Sequence, residues 1–574
     1  MFGESPTRKR VLELIRPLDK LHTSWLLSKL NLLLMLNRFH ESPGQTAKVQ
    51  TWLVNMFIDD ELFGHLKEKF GPEKLEDRQP FHSLQILTLL KWVLLESTDG
   101  GVRPDTDKSA AHSIGRALMM MNDLLASPES LRALRPSRPS KTKRRLALQL
   151  QLGSGFEVNN PPSIPTSIVR SETIFHDIFA ATPCKLDIRG IFQSRSGLTL
   201  EDYVDHVLGL LTYYVTLDID RLADDPGLAC LRPETFFADS EKSVVHRFWE
   251  MELASVAELE ASLRSSTGLK DQHDFIVFRR KPFMEVLENN AVPMHLGFVQ
   301  EKLEAGLFWR IFNSLDTSKE RDALFTHWGR LFEQYVSGVF VSALPNSGFV
   351  PFSTFADNGD EAFDGIVISE ECMIAMEYKG GFLSAAAKYS ENEAEFQADL
   401  DKKFGREKGA GMEQLSRKIC AIFASNARDQ RVLREISTAK IKFVIPVLVV
   451  QDAFVSSEVT VPYLVDVFGT LKRKKSIRRG VICTFPLVLD VSEVETIRPF
   501  LASGKLSLAD CLMERIKIGT NGFLSFRDFF RGYLSERGIT FVRDDETLAR
   551  FTEIMNRISL RFFKKPLEQA ENQS

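Results

Sequence analysis

The stretch IKFVIPVLVV, residues 441–450, constrains the fold more than any other part of the chain. Its side chains are almost all apolar and mostly β-branched, so it reads as a strand buried on both faces. VICTFPLVLD, residues 481–490, reads as another. Strands of this kind belong to sheets covered by helices on both sides, which places this part of the chain in the α/β class.

Just upstream lie two more short apolar runs, AFDGIVIS (362–369) and CMIAMEYK (372–379), separated only by Glu370 and Glu371. That separation predicts a β-hairpin. Residues two apart in a strand share a face, so Glu377 and Lys379 point the same way. Asp364, near the start of the first strand, comes opposite the end of the second, where it approaches Glu377. Two carboxylates packed together among Ile, Val and Met repel each other and are costly to bury. A divalent cation with hard oxygen ligands, Mg²⁺ or Mn²⁺, resolves both problems. Such an ion can polarise a phosphoryl oxygen and acidify a bound water. Lys379 adds a positive charge beside the attacking water or the scissile phosphate. Gly380 and Gly381 allow close approach of backbone or substrate.

The rest of the chain is mainly helical. The expected organisation is a helical N-terminal domain over 1–135, a linker or long loop over 136–168, and a second helical region over 169–316. An α/β domain follows over 317–505, then a helical C-terminal segment over 506–574. The linker reading rests on the Pro-, Ser- and Arg-rich SPESLRALRPSRPSKTKRR and on Pro161, Pro162 and Pro165, which oppose a continuous helix. Thr199 is the predicted cap of TLEDYVDHVLGLLTYYV. Thr317 with Glu320 forms a capping-box pattern, and Ser492 with Glu495 forms a second. In the helix that starts at 317, Trp328, Leu331, Phe332, Tyr335, Val336 and Val339 fall on one stripe with Glu333 at its edge.

The net charge of −4 over 574 residues excludes a global basic field, so nucleic-acid binding must use local patches. The six cysteines form no C-x-x-C pair, which argues against zinc clusters and a disulfide framework and fits a reducing cytosol. The N-terminus lacks a signal-peptide h-region. SWLLSKLNLLLML and LQILTLLKWVLLE are interrupted by Lys29 and Lys91 and are shorter than the ~20 residues of a membrane span, so both read as buried helices. The expectation is therefore a cytoplasmic protein with no membrane partner.

The pattern Asp364-x₁₂-Glu377-x-Lys379 across a hairpin resembles the PD-(D/E)xK nuclease superfamily, the restriction-endonuclease-like fold. The order of elements is similar too: a helix carrying Glu333, the Asp hairpin, a helix over 411–425 carrying Gln414, and a strand over 441–450. Phe363 stands where that motif often has Pro. The resemblance covers about 317–500, and none was recognised for 1–316. It implies that Asp364 and Glu377 ligate metal with help from the Tyr378 carbonyl, and that Lys379 positions or activates water. It further implies that Glu333 is an additional ligand or supports one, and that Gln414 holds the metal shell, the lysine or DNA. The implied activity is metal-dependent hydrolysis of DNA phosphodiester bonds, in bacterial restriction or anti-phage defence. A catalytically inactive scaffold binding nucleic acid or protein, and an RNA nuclease, are the alternatives.

The only other [DE]-x-K string, Asp401-Lys402-Lys403, lies in a highly charged stretch and reads as a solvated helix face. The densest basic run, LKRKKSIRRG, contributes Lys472, Arg473, Lys474, Lys475, Arg478 and Arg479 as candidate phosphate contacts beside the catalytic strands. Lys402, Lys403, Arg406 and Lys408 flank a glycine-rich loop that could face substrate. That loop lacks the Lys-Ser or Lys-Thr of a P-loop. DNA is thus the expected partner, and a homo-oligomer or a defence-system partner protein is left open.

Overall fold

The computed structural model describes residues 6–39, 43–70, 80–125, 163–266, 274–345, 348–389, 392–426, 428, 431–457, 460–474, 476–519 and 525–563. Most of the expected linker, and Lys475, lie outside these residues. The fold is mixed α/β, mostly helical, with two sheets and no barrel among the described residues.

The described residues up to 316 form a mainly helical body. The two most apolar windows form helices Lys20–Phe39 and Ser83–Glu96, which pack on each other. Both interrupting lysines are buried: Lys91 Nζ donates to the Asp274 carbonyl at 3.0 Å, and Lys29 Nζ lies over the Trp52 ring. No described helix is long and apolar enough to cross a membrane. Ile164–Glu172 is helical, so a helix begins four residues earlier than the expected linker end allows. Pro165 permits this because it sits in the first turn, where its missing N–H has no partner to lose. The second helical region also holds a small sheet that periodicity could not reveal. Its strands, β1 (Leu253–Ala254), β2 (Phe283–Glu285) and β3 (Ala291–Pro293), are only two or three residues long.

The main sheet has the order β4 (Phe349–Thr354), β5 (Glu361–Ser369), β6 (Cys372–Lys379), β7 (Phe443–Val450), β8 (Ile482–Cys483), with β9 (Leu487–Asp490) also paired to β7. Strands β4, β5 and β6 form an antiparallel meander. Strand β7 runs parallel to β6, in register from Cys372 opposite Phe443 to Lys379 opposite Val450. The expected single strand over 481–490 is split into β8 and β9, both parallel to β7. Pro486, which has no N–H to give to the ladder, lies in the break.

The sheet separates two apolar layers. Ile374, Met376 and Tyr378 of β6, with Ile445, Val447 and Val449 of β7, join one continuous core with the helical body. Helices Ser318–Ala343 and Val491–Ala502 cover this face. Met373 and Ala375, with Val444, Leu448 and Val450, face a second core under helices Gly411–Ile422 and Val461–Arg473. Thr317 and Glu320 form the expected capping box. At the other predicted start the box is Asp490 with Glu493, two residues earlier, because the Asp490 carboxylate ends β9 where it can accept the Glu493 N–H. Glu495 is instead buried: it accepts from Arg170 at 2.6 and 2.8 Å and from Tyr335 Oη at 2.7 Å. Arg170 also pairs with Glu304 at 2.5 Å, so this network ties the helical body to both helices on that face.

Candidate active site

The hairpin register sets the site. Gly365 is opposite Met376, and one further step brings Asp364 opposite Glu377. Opposed residues in an antiparallel pair share a face, with Cβ atoms ~4.5–5.5 Å apart. Alternation along β6 puts Lys379 on the same face, and its Nζ stands 3.8 Å from Glu377 Oε2. The three groups therefore meet at the carboxyl end of β6, on the side covered by helix 411–422. Asp364 is 2% exposed and Glu377 1%.

The surroundings explain how these charges are borne. Lys418, on helix 411–422 and 4% exposed, donates to Glu377 Oε1 at 2.5 Å. Its Nζ is also 3.7 Å from Glu361 Oε1, whose side chain is 54% exposed. Asp364 Oδ2 accepts the Tyr378 N–H at 2.6 Å. Burial, then the neighbouring Glu377 charge, push the Asp364 carboxyl well above its ordinary range, and a hydrogen bond with Glu361 adds to this. Burial also raises Glu361, but its bond with Asp364 and the Lys418 and Lys379 charges outweigh that and lower it. Glu333, half-buried on helix 318–343, is pushed up to about 7, mainly by burial. The charges of Glu361 and Glu377 raise it further, while those of Lys379 and Lys418 oppose the shift. Four carboxyl groups thus share two ammonium groups.

Lys418 and Glu361 were not singled out in the sequence. Lys418 had a signal: it falls on the apolar stripe of GMEQLSRKICAI, with Leu415, Ile419 and Ile422. A lysine on a buried stripe needs a partner. Gln414 precedes it by one turn on the same helix. Its Oε1 is buried with no hydrogen-bond partner among the described residues.

These donors fit a divalent cation. Asp364 and Glu377 offer hard oxygens on one face, and the orphaned Gln414 oxygen lies on the helix that covers them. Among the described residues no group of three or more His, Cys, Asp or Glu side chains is disposed to hold a metal. Asp364 and Glu377 make two carboxylates, a number that can hold Mg²⁺ while it keeps several waters. The Tyr378 ring points to the opposite face, stacked on Phe340, so only its main chain reaches the carboxylates. Gly380 serves packing: a Cβ there would stand 2.7 Å from Phe332 Cβ, one residue before Glu333.

Comparison with protein-family models, curated proteins and solved structures returns no match. The site therefore rests on its own geometry.

The basic segments divide. LKRKKSIRRG lies at the opposite end of the strands from the carboxylates. Ile482 pairs with Phe443, and the Arg478 N–H donates to the Phe423 carbonyl at 2.7 Å. Glu377 is opposite Leu448, five residues further along β7, or ~17 Å at ~3.3 Å per residue. Lys472 and Arg478 are engaged with the Cys483 and Thr438 carbonyls, while Arg473, Lys474 and Arg479 are exposed. The run is thus not beside Asp364, Glu377 and Lys379. The 402–408 segment is at the site's end of the sheet, where Lys403 donates to the Phe382 carbonyl at 2.6 Å and pairs with Asp399. Lys402 and Lys408 are exposed. Arg406 bonds Asp401 at 2.8 Å, as does Tyr463 Oη. Asp401 is therefore a buried structural acceptor rather than part of a solvated face, because helix 461–473 packs over it.

Proposed function

We propose that the chain is a metal-dependent nuclease that hydrolyses DNA phosphodiester bonds on a restriction-endonuclease-like core spanning about 317–505. One observation carries the reading: Asp364 and Glu377 are opposed, buried on one face and mutually repelling, with Lys379 beside them. A structural ion pair would need one carboxylate per lysine, whereas this cluster is over-supplied with oxygen donors. The element order supports the same reading, with Glu333, the hairpin, Gln414 and a parallel strand succeeding one another.

When bound by Asp364 and Glu377, Mg²⁺ or Mn²⁺ would supply Lewis-acid polarisation of the phosphate and acidify a water. Lys379 would orient that water and offset charge developing on phosphorus. Glu333, poised near neutrality, is suited to accept a proton at the rim of the site. Lys402 and Lys408 are the exposed cations suited to backbone phosphates. A role in bacterial restriction or anti-phage defence follows from the family resemblance alone.

One observation favours a second reading. Lys418 neutralises Glu377 without any metal, as it would in a catalytically inactive scaffold that binds nucleic acid or protein. Purified protein incubated with plasmid DNA, linear DNA or RNA, with Mg²⁺ or Mn²⁺, separates the readings. DNA cleavage abolished in Glu377→Gln and Lys379→Ala supports the nuclease. Cleavage of RNA alone moves the substrate class. Absence of cleavage, with binding unchanged by either substitution or by chelation, supports the scaffold.

A further inference from the structure

A cavity of ≈ 1140 Å³ lies between the helical body and the carboxyl ends of β6, β7 and β9. Segments 382–385, 451–454 and 490–493, which follow those strands, form one wall, and segments 276–281, 301–313 and 525–531 form the others. Asp364, Glu377 and Lys379 do not line it, so it is distinct from the candidate active site. The carboxyl ends of parallel strands are where open α/β sheets take their ligands.

Its electrostatics are those of an anion site. Most lining charges are already matched. Glu301 pairs with Arg279, Asp452 with Lys388, and Glu304 with Arg170, while Asp490 and Glu493 cap a helix. Arg280, Arg527 and Arg531 line the cavity with no ion pair among the described residues; Arg527 is near enough to Glu493 to favour its charged form, and the exposed Asp528 also lines the space. The first turn of helix Ala305–Asn313, which has no acidic residue and no side-chain cap, also reaches the lining with the positive end of its dipole. Gln451, 7% exposed, adds an orphan donor. Its Oε1 accepts from Trp328 Nε1 at 2.7 Å, which fixes the amide orientation and leaves Nε2 without a partner. An apolar complement is present: the half-buried Trp309 ring and buried Phe382 line the same space.

Unpaired arginines bind phosphates, and an indole face stacks a base. The walls surround the space on several sides, and its volume lies just above the ~300–1,000 Å³ typical of small-molecule sites. Both features suit a finite ligand better than a polymer. We propose that this cavity binds a small phosphorylated nucleotide, its phosphates held by Arg280, Arg527 and Arg531 and its base against Trp309.

The test is calorimetric titration of the full chain in EDTA, which silences any metal at the carboxylates, with ATP, GTP, CTP and UTP in turn. Adenosine and tripolyphosphate are the controls. At least one nucleotide should bind, more tightly than either control. The Arg280→Ala/Arg531→Ala protein should weaken it at least tenfold while melting at the wild-type temperature. If that double variant is unstable, Arg531→Ala alone, altering one exposed side chain, carries the test. Glu377→Gln should bind as the wild type does. Any of four results overturns the proposal: no nucleotide binding at millimolar concentration, affinity unchanged by the arginine substitutions, tripolyphosphate binding as well as the nucleotide, or binding lost in Glu377→Gln.

Discussion

Replacing Asp364 by Asn should stabilise the metal-free protein at alkaline pH and abolish protection by Mg²⁺. Asn keeps an acceptor for the Tyr378 N–H, so the substitution removes charge without removing the hydrogen bond that Asp364 accepts. Two unit charges ~5 Å apart repel by about 3 kcal/mol at an effective dielectric of ~20. Lys379 and Lys418 offset part of this, leaving roughly 1–2 kcal/mol. At ~2–4 °C per kcal/mol, the variant should melt about 2–8 °C above the wild type at pH 8. The sign follows from linkage. The folded-state pKa of Asp364 is raised above its ordinary 3.8 by burial and by Glu377. The stability it contributes is therefore full below that value and lost as pH rises through the folded-state pKa. The advantage of the variant should accordingly vanish towards pH 4. Mg²⁺ at about 100 times its dissociation constant should restore ~2.7 kcal/mol to the wild type and nothing to Asp364→Asn. Differential scanning fluorimetry at pH 4, 6 and 8, with and without Mg²⁺, reads all of this. A variant less stable than the wild type at pH 8, or equal Mg²⁺ protection of both proteins, would refute the reasoning.

Three further outcomes follow from the same geometry. Lys418→Met leaves Glu377 buried without its closest cation and should cost about 3–5 kcal/mol in chemical denaturation; a cost under ~1 kcal/mol would show that the pair is not buried as described. Glu333, raised to about 7 chiefly by burial, contributes stability that is present below about 4.5 and lost as pH rises through 7. Glu333→Gln should therefore remove about 1–2 kcal/mol of pH dependence across that window, a figure discounted for partial exposure, and an unchanged stability–pH curve would contradict the assignment. Gly380→Ala should push β6 away from helix 318–343, costing about 1–3 kcal/mol and lowering cleavage; a neutral effect on both stability and cleavage would remove its packing role.

The sequence made the strands of the site legible because their signals are local. Glu370-Glu371 marks the turn, and the apolar runs on either side give Asp364, Glu377 and Lys379 their faces. Capping chemistry likewise marked the starts at Thr199 and Thr317, where the hydroxyl accepts from the N–H three residues on. The pattern failed where a competing partner decided. Glu495 matched a capping box but is claimed by Arg170, 325 residues away in the chain. Asp401 looked solvated until Tyr463 and Arg406 closed over it. The basic run is close in sequence to the strands of the α/β domain but is carried to the far end of the sheet from the carboxylates by the parallel entry of β8. Lys418 was hidden because its role depends on which helix face meets Glu377, which only tertiary packing sets.

The nuclease reading requires that the opposed carboxylates of Asp364 and Glu377 together hold one divalent cation. Titration of the metal-free protein with Mn²⁺, followed by electron paramagnetic resonance of the free ion, tests it directly. One Mn²⁺ per chain should bind to the wild type and to Lys379→Ala, and this binding should be lost in both Asp364→Asn and Glu377→Gln. Stoichiometric Mn²⁺ binding retained in those two folded carboxylate variants would contradict the account.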